Sequence, residues 1–160
     1  MPLKLIDEKL IADLTTTAQN SARRRTLYTF HTDNSDKLQR MAAVIEPESY
    51  IRPHKHQRPD KVEVFVILRG KLAVVIFADD GRVSEHVVLE AGKSPWGVEV
   101  TPDTWHMTLA LEPDTAMYEV VEGPWHPKTH KTFPNWAPPE EDAAAGQAFI
   151  ARVRQDLMLY

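Results

Sequence analysis

The chain has 160 residues, 42% of them apolar and 26% charged, with a net charge of −4 and no cysteine. That composition suits one globular domain with a sizeable core. It excludes disulfide and thiolate chemistry and argues against a nucleic-acid partner, since the lone basic run, Arg23-Arg24-Arg25, reads as a solvated helix end. No stretch approaches the ~20 apolar residues of a membrane span, and the N-terminus lacks the apolar run and cleavage site of a secretory leader, so the cytoplasm is the expected compartment.

In chain order, Ile6, Leu10, Ile11, Leu14 and Ala18 recur at helical spacing behind Asp7 and Glu8, predicting a helix over 7–21. Eight short strands are then expected: 38–45, 50–56, 62–68, 71–78, 82–89, 98–101, 107–111 and 116–121. Asp79-Asp80-Gly81 is a hairpin turn, because Asp and Gly tolerate the positive φ of tight turns. Strands at this spacing, with no helices between them, make a sandwich or barrel rather than a parallel sheet. Between Gly123 and Pro139, five prolines stand beside Trp125, Phe133 and Trp136. Proline forbids regular helix there, and the aromatics predict an ordered strap across the outside of the barrel. A last helix is expected over 140–159, with Phe149, Ile150, Val153 and Leu157 on one face, packed on its own barrel or on a second subunit. The expected organisation is an N-terminal helix and arm (1–36), a barrel (37–122) and a strap plus helix (123–160) within one domain.

The chemistry concentrates in His54-Lys-His56, Glu63 and His106. Three imidazoles and a carboxylate can hold a first-row divalent metal while leaving positions open for water or substrate. His54 and His56 leave an extended strand by the same face. Glu63 opens an apolar strand that stops at Gly70, and His106 follows the turn-like Thr101-Pro102-Asp103-Thr104-Trp105. If Glu63 points inward, so do Phe65 and Ile67, although both faces of that strand are apolar. If His106 points inward, Thr108 and Ala110 join it and leave room for a ligand. Each histidine alone reads more readily as a surface or hydrogen-bonded residue than as a ligand; the four together read as a ligand set. A three-histidine site with water, or one that uses Asp60, is the alternative.

At these residues the chain resembles the cupin superfamily, whose first motif is His-x-His, then Glu, six residues and Gly, and whose second is a Pro-turn followed by His. Here they read His54-x-His56, Glu63, Gly70 and Pro102-x-x-x-His106. Six residues separate His56 from Glu63 where the family has three or four, so Gln57-Arg58-Pro59-Asp60 must bulge out as a loop. Thr104 stands where a glycine is usual. More closely, the chain is similar to the WbuC group of cupin-fold metalloproteins. That likeness rests on Arg24-Arg25, Phe30-His31, Gln39-Arg40, Ser49-Tyr50, the widely spaced His-x-His, Glu122-Gly123-Pro124-Trp125 and Trp136-Ala137-Pro138. The resemblance implies an all-β jelly-roll barrel with a divalent metal (Fe, Mn, Ni, Co or Zn) at His54, His56, Glu63 and His106. It also inclines the substrate towards sugars or sugar nucleotides.

Other candidates surround that site. Tyr50, Arg52 and Glu119 are the catalytic candidates, with Glu119 a general base or an arginine's partner if it faces inward. Arg40 and Arg69 could line the same cavity, though strand arginines mostly face water. His31 either reaches the barrel mouth or caps the turn after it; His86 reads as exposed, and His126 and His130 carry little signal in a non-helical strap. Trp96, Trp105, Trp125 and Trp136 read as packing groups rather than a sugar platform. The chain is therefore expected to be a metal-dependent enzyme acting on a small polar molecule, as a homodimer. A non-catalytic metal- or ligand-binding module is the alternative, and a subunit whose last helix recruits a partner is a third reading.

Overall fold

The computed structural model describes residues 2–158. Helix α1 (Glu8–Asn20) leads into strands β1 (Arg25–Thr29), β2 (Leu38–Ile45), β3 (Glu63–Arg69), β4 (Lys71–Phe77), β5 (Val83–Glu90), β6 (Gly97–Val100), β7 (His106–Ala110) and β8 (Thr115–Glu122), and α2 (Ala143–Asp156) closes the chain. The strands form two antiparallel sheets, β1-β2-β8-β3-β6 and β5-β4-β7. Their inner faces meet over Ile45, Phe65, Ile67, Leu72, Val74, Leu89, Val100 and Met117. Each such side chain contributes roughly 1.5–3 kcal/mol when taken fully out of water.

Each sheet carries one helix on its outer face. α1 starts because the Asp7 carboxylate accepts from the Leu10 N–H at 2.9 Å. It lays Ile11, Leu14 and Ala18 on Phe30, Ala42, Val44 and Ala116 of the larger sheet. α2 is capped in the same way by Asp142 and packs Phe149, Ile150 and Val153 on Ala73, Val75, Phe77, Met107 and Leu109 of the smaller sheet. Its partner is therefore its own barrel. Gly146 is required here, since a Cβ at that position would lie 2.7 Å from the Tyr50 ring. The helix begins three residues later than expected, and Leu159, the end of the expected span, lies outside the described residues.

Two strand assignments change. The segment 50–56 is extended but makes only isolated bridges, His54 to His106 and Lys55 to Thr132, because Pro53 has no N–H to give a ladder. In its place β1, unforeseen in the sequence, pairs with β2 from Arg25↔Ile45 to Thr29↔Met41. β1 is an edge strand with Leu27 and Tyr28 exposed, so it lacks the apolar alternation that marks a buried strand. Gly70 turns β3 into β4 with φ +72°, and the hairpin at Asp79-Asp80-Gly81 joins β4 to β5 as expected. Among the described residues no helix is long and apolar enough to cross a membrane.

Candidate metal centre

The larger sheet settles the inward parity of β3. Glu63, Phe65 and Ile67 are buried while Val66 is exposed, and Glu63 pairs with Val100 of β6 and Val121 of β8. The long gap after His56 costs no register, because Gln57–Asp60 turns outward and leaves Asp60 exposed. His54 and His106 exchange backbone hydrogen bonds of 3.0 and 2.9 Å. The His56 carbonyl accepts from the Asp103 N–H at 3.0 Å, which fixes the turn before β7. Lys55 points the other way, onto Asp103 at 2.5 Å and over the Trp105 ring at 4.6 Å. The structure thus brings His54, His56, Glu63 and His106 together, all buried, with one potential ligand atom from each within 4.8 Å of every other.

The ring nitrogens show what this cluster is prepared for. Each histidine places Nδ1 on a backbone carbonyl: His54 on Arg52 at 3.0 Å, His56 on His130 at 2.5 Å, His106 on Thr104 at 2.8 Å. A carbonyl only accepts, so all three Nδ1 atoms carry the proton and each Nε2 of a neutral ring is left as a lone pair. The Nε2 atoms of His56 and His106 lie 3.0 and 2.8 Å from a single oxygen, Glu63 Oε2. That oxygen is itself an acceptor, so these contacts need positive charge between them. His54 Nε2 is buried with no hydrogen-bond partner. Burial, then the charges of Lys131 and His106, holds His54 well below the usual histidine range and keeps this lone pair bare. One cation satisfies all four groups, and carbonyl-anchored Nδ1–H groups are how metal-binding imidazoles are held.

The carboxylates beside this cluster diverge. Burial alone would raise Glu63, but its contacts with His106 and His56 outweigh it and hold its carboxyl well below the usual range. Glu119, opposite Phe65 on β8, is pushed well above that range by burial and by the negative charge of Glu63.

Beside the cluster a cavity of about 650 Å³ opens over β1, β2 and β8, where the smaller sheet does not reach. Glu119, His130 and Lys131 line it at the cluster end. The other catalytic candidates lie elsewhere. Tyr50 sits in the apolar layer against Phe149, and its hydroxyl donates to the Pro138 carbonyl at 2.9 Å. Arg52 gives its guanidinium to the Pro134 carbonyl at 2.8 Å, over the Phe133 ring. With no ladder through Pro53, alternation does not carry from His54 back to these residues, and apolar contact and free carbonyls decide where they point. Arg69 pairs with Glu8 of α1 and Arg40 with Asp36, both away from the cavity. His31 lines the cavity with Nδ1 on the Arg40 backbone, and His86 is exposed.

The strap does not stay outside the barrel. It crosses the site, held by Thr132 on Lys55 and by the Lys61 ammonium on the Pro124 carbonyl, and delivers the carbonyl that orients His56. His130 and Lys131 thus belong to the site. No pattern marks them in the sequence, because one acts through a backbone atom and the other through the path of a Pro-rich segment. Among the tryptophans, Trp105 and Trp136 pack against each other, Trp125 lines the cavity, and Trp96 is 65% exposed.

A model of the family described as "Domain of unknown function (DUF6016)" matches residues 6–89, just over half of the chain. The chain belongs to this DUF6016 family. No curated protein matches its sequence. Among solved structures, L-ribose isomerase from Cellulomonas parahominis is similar at 14% identity and TM-score 0.54, over 77% of this chain and 72% of its own. A conserved protein of unknown function from Streptococcus pyogenes is similar at 18% identity and TM-score 0.53, over 79% and 92%. A cupin-2 domain protein from Shewanella frigidimarina gives 16% identity and TM-score 0.44, over 59% and 78%. At these identities the likeness is one of fold. This DUF6016 chain folds as a jelly-roll-like pair of antiparallel sheets flanked by two helices, and its buried His/Glu cluster fits a metal ion.

Proposed function

We propose that this chain is a metal-dependent enzyme of the WbuC type, with a first-row divalent ion held by His54, His56, Glu63 and His106. The observation that carries the reading is the set of three Nδ1-anchored imidazoles whose Nε2 atoms converge on one carboxylate oxygen, one of them with no other partner. Nitrogen and oxygen donors without sulfur suit iron, manganese, nickel, cobalt or zinc. When bound, such an ion polarises a carbonyl or hydroxyl and lowers the pKa of water.

The chain's own residues supply the rest. Glu119 lines the cavity beside the cluster, where its carboxyl can exchange a proton or a hydrogen bond with a bound molecule. The strap lies against His56, which is buried, and low water access there strengthens charge interactions. A small polar molecule is the substrate, and fold similarity to L-ribose isomerase keeps sugars among the candidates. The exposed edge of β1, with Leu27 at 52%, supports a homodimer. Arg23, Arg24 and Arg25 are committed to Glu140 and Glu48, which supports a protein without a nucleic-acid partner. Cytoplasmic residence and a single-domain organisation complete the reading.

Elemental analysis of protein purified without an affinity metal column tests the proposal. About one equivalent of a first-row metal is expected, retained through dialysis; metal-free protein that takes up none when titrated sinks it.

A further inference from the structure

The cavity is more particular than a generic polar site. Its floor is apolar: Met41, Ala43 and Ile45 from β2, Met117 and Val121 from β8, and Ile51. The cations at its far rim are already engaged, since Arg23 and Arg25 share Glu140 at 2.9 and 2.7 Å. At the metal end two polar groups have no partner among the described residues. Lys131 lines the cavity without an ion pair, and His130, only 8% exposed, leaves its buried Nδ1 without a hydrogen bond. The remaining lining includes Thr26, Thr29, His31, Asn34, Gln39 and Glu119, but hydroxyls laid on the apolar floor itself find no partner there, and polar groups buried without partners cost more than apolar contact returns. Apolar carbon suits the floor, and an oxyanion suits a lysine ammonium beside an imidazole N–H.

We propose that the cavity binds a monocarboxylate with an apolar body, its headgroup on Lys131 and His130 Nδ1 beside the metal and its body along Met41, Ala43, Met117 and Val121. This rests on the metal-enzyme reading for where the headgroup lies and departs from its sugar candidates, keeping the polar requirement for the headgroup alone. Lys131 is a specificity residue: it lines the cavity next in sequence to His130, whose ring lies 4.8 Å from that of His56 and whose carbonyl accepts from His56. The volume of about 650 Å³ admits a chain of several carbons or an aromatic ring.

Calorimetric titration of the metal-loaded full chain with octanoate, acetate and L-ribose tests this, with metal content measured on the same samples. Octanoate is expected to bind, with acetate and L-ribose each about tenfold weaker or worse for want of floor contact and of a headgroup respectively. Lys131→Gln should weaken octanoate about tenfold, and Lys131→Arg should restore most of the affinity. L-ribose binding as tightly as octanoate, or octanoate binding that ignores Lys131→Gln, overturns the proposal. A metal-loaded chain that does not bind octanoate overturns the ligand class and leaves the metal reading standing. A chain that holds no metal overturns both.

Discussion

Strands β3 and β7 each run from a polar end to an apolar one, and the two ends of the same barrel are built on opposite terms. At one end Glu63 and His106 face inward; two and four residues on, the same parity presents Phe65 and Ile67, Thr108 and Ala110. The apolar end is closed by Leu72, Val74, Leu89 and Met117, and needs only shape and volume. The polar end is as deeply buried, yet every imidazole there is anchored to a carbonyl from an irregular segment: Arg52, Thr104 or His130. Regular strands spend their carbonyls on ladders, so a buried site of this kind has to sit where the chain leaves the sheet. The strap exists at that end for the same reason.

This contrast can be broken at either end. The largest effect is expected from His56→Ala, which should abolish bound metal after purification; unchanged stoichiometry by elemental analysis would remove the site. Next, Leu72→Ala at the apolar end should cost about 2–5 kcal/mol in chemical denaturation while metal content stays intact, since it opens a cavity and touches no ligand. Metal loss in that variant would mean that the two ends are not independent. Third, stripping the metal with a chelator should lower stability by about 3 kcal/mol relative to protein held at a hundredfold excess over the dissociation constant, read as a drop in Tm. In His56→Ala the chelator should do nothing.

The smallest effect is expected from His130→Ala. The carbonyl that orients His56 belongs to the backbone, so the variant should keep its metal. Its pH dependence should change. Burial, then the neighbouring His56, push His130 down to about 3 from 6.5, so the folded protein resists a proton that the unfolded chain takes. Wild-type stability should therefore decline as pH falls from 6.5 towards 3, and His130→Ala should lack that share of the decline. Unfolding curves of metal-free protein across this range check it, and parallel slopes for the two proteins would place His130 in solvent.

The sequence by itself determined the residue types of the cluster, the turns at Gly70 and Asp79-Asp80-Gly81, seven of the strands and both amphipathic helices, because periodicity, glycine and proline act over a few residues. The match of His54, His56, Glu63 and His106 to a family pattern was legible for a related reason: ligand chemistry restricts which side chains can serve. Tertiary structure alone decided that β1 would take an edge, where exposure erases the alternation a buried strand shows. It also sent Tyr50 to Phe149 and Arg52 to Pro134, drew His130 and Lys131 in from the strap, and put the protons on three Nδ1 atoms. Those outcomes depend on which carbonyls and apolar surfaces remain unclaimed once the sheets have paired, and that is a property of the assembled barrel rather than of any short stretch of chain.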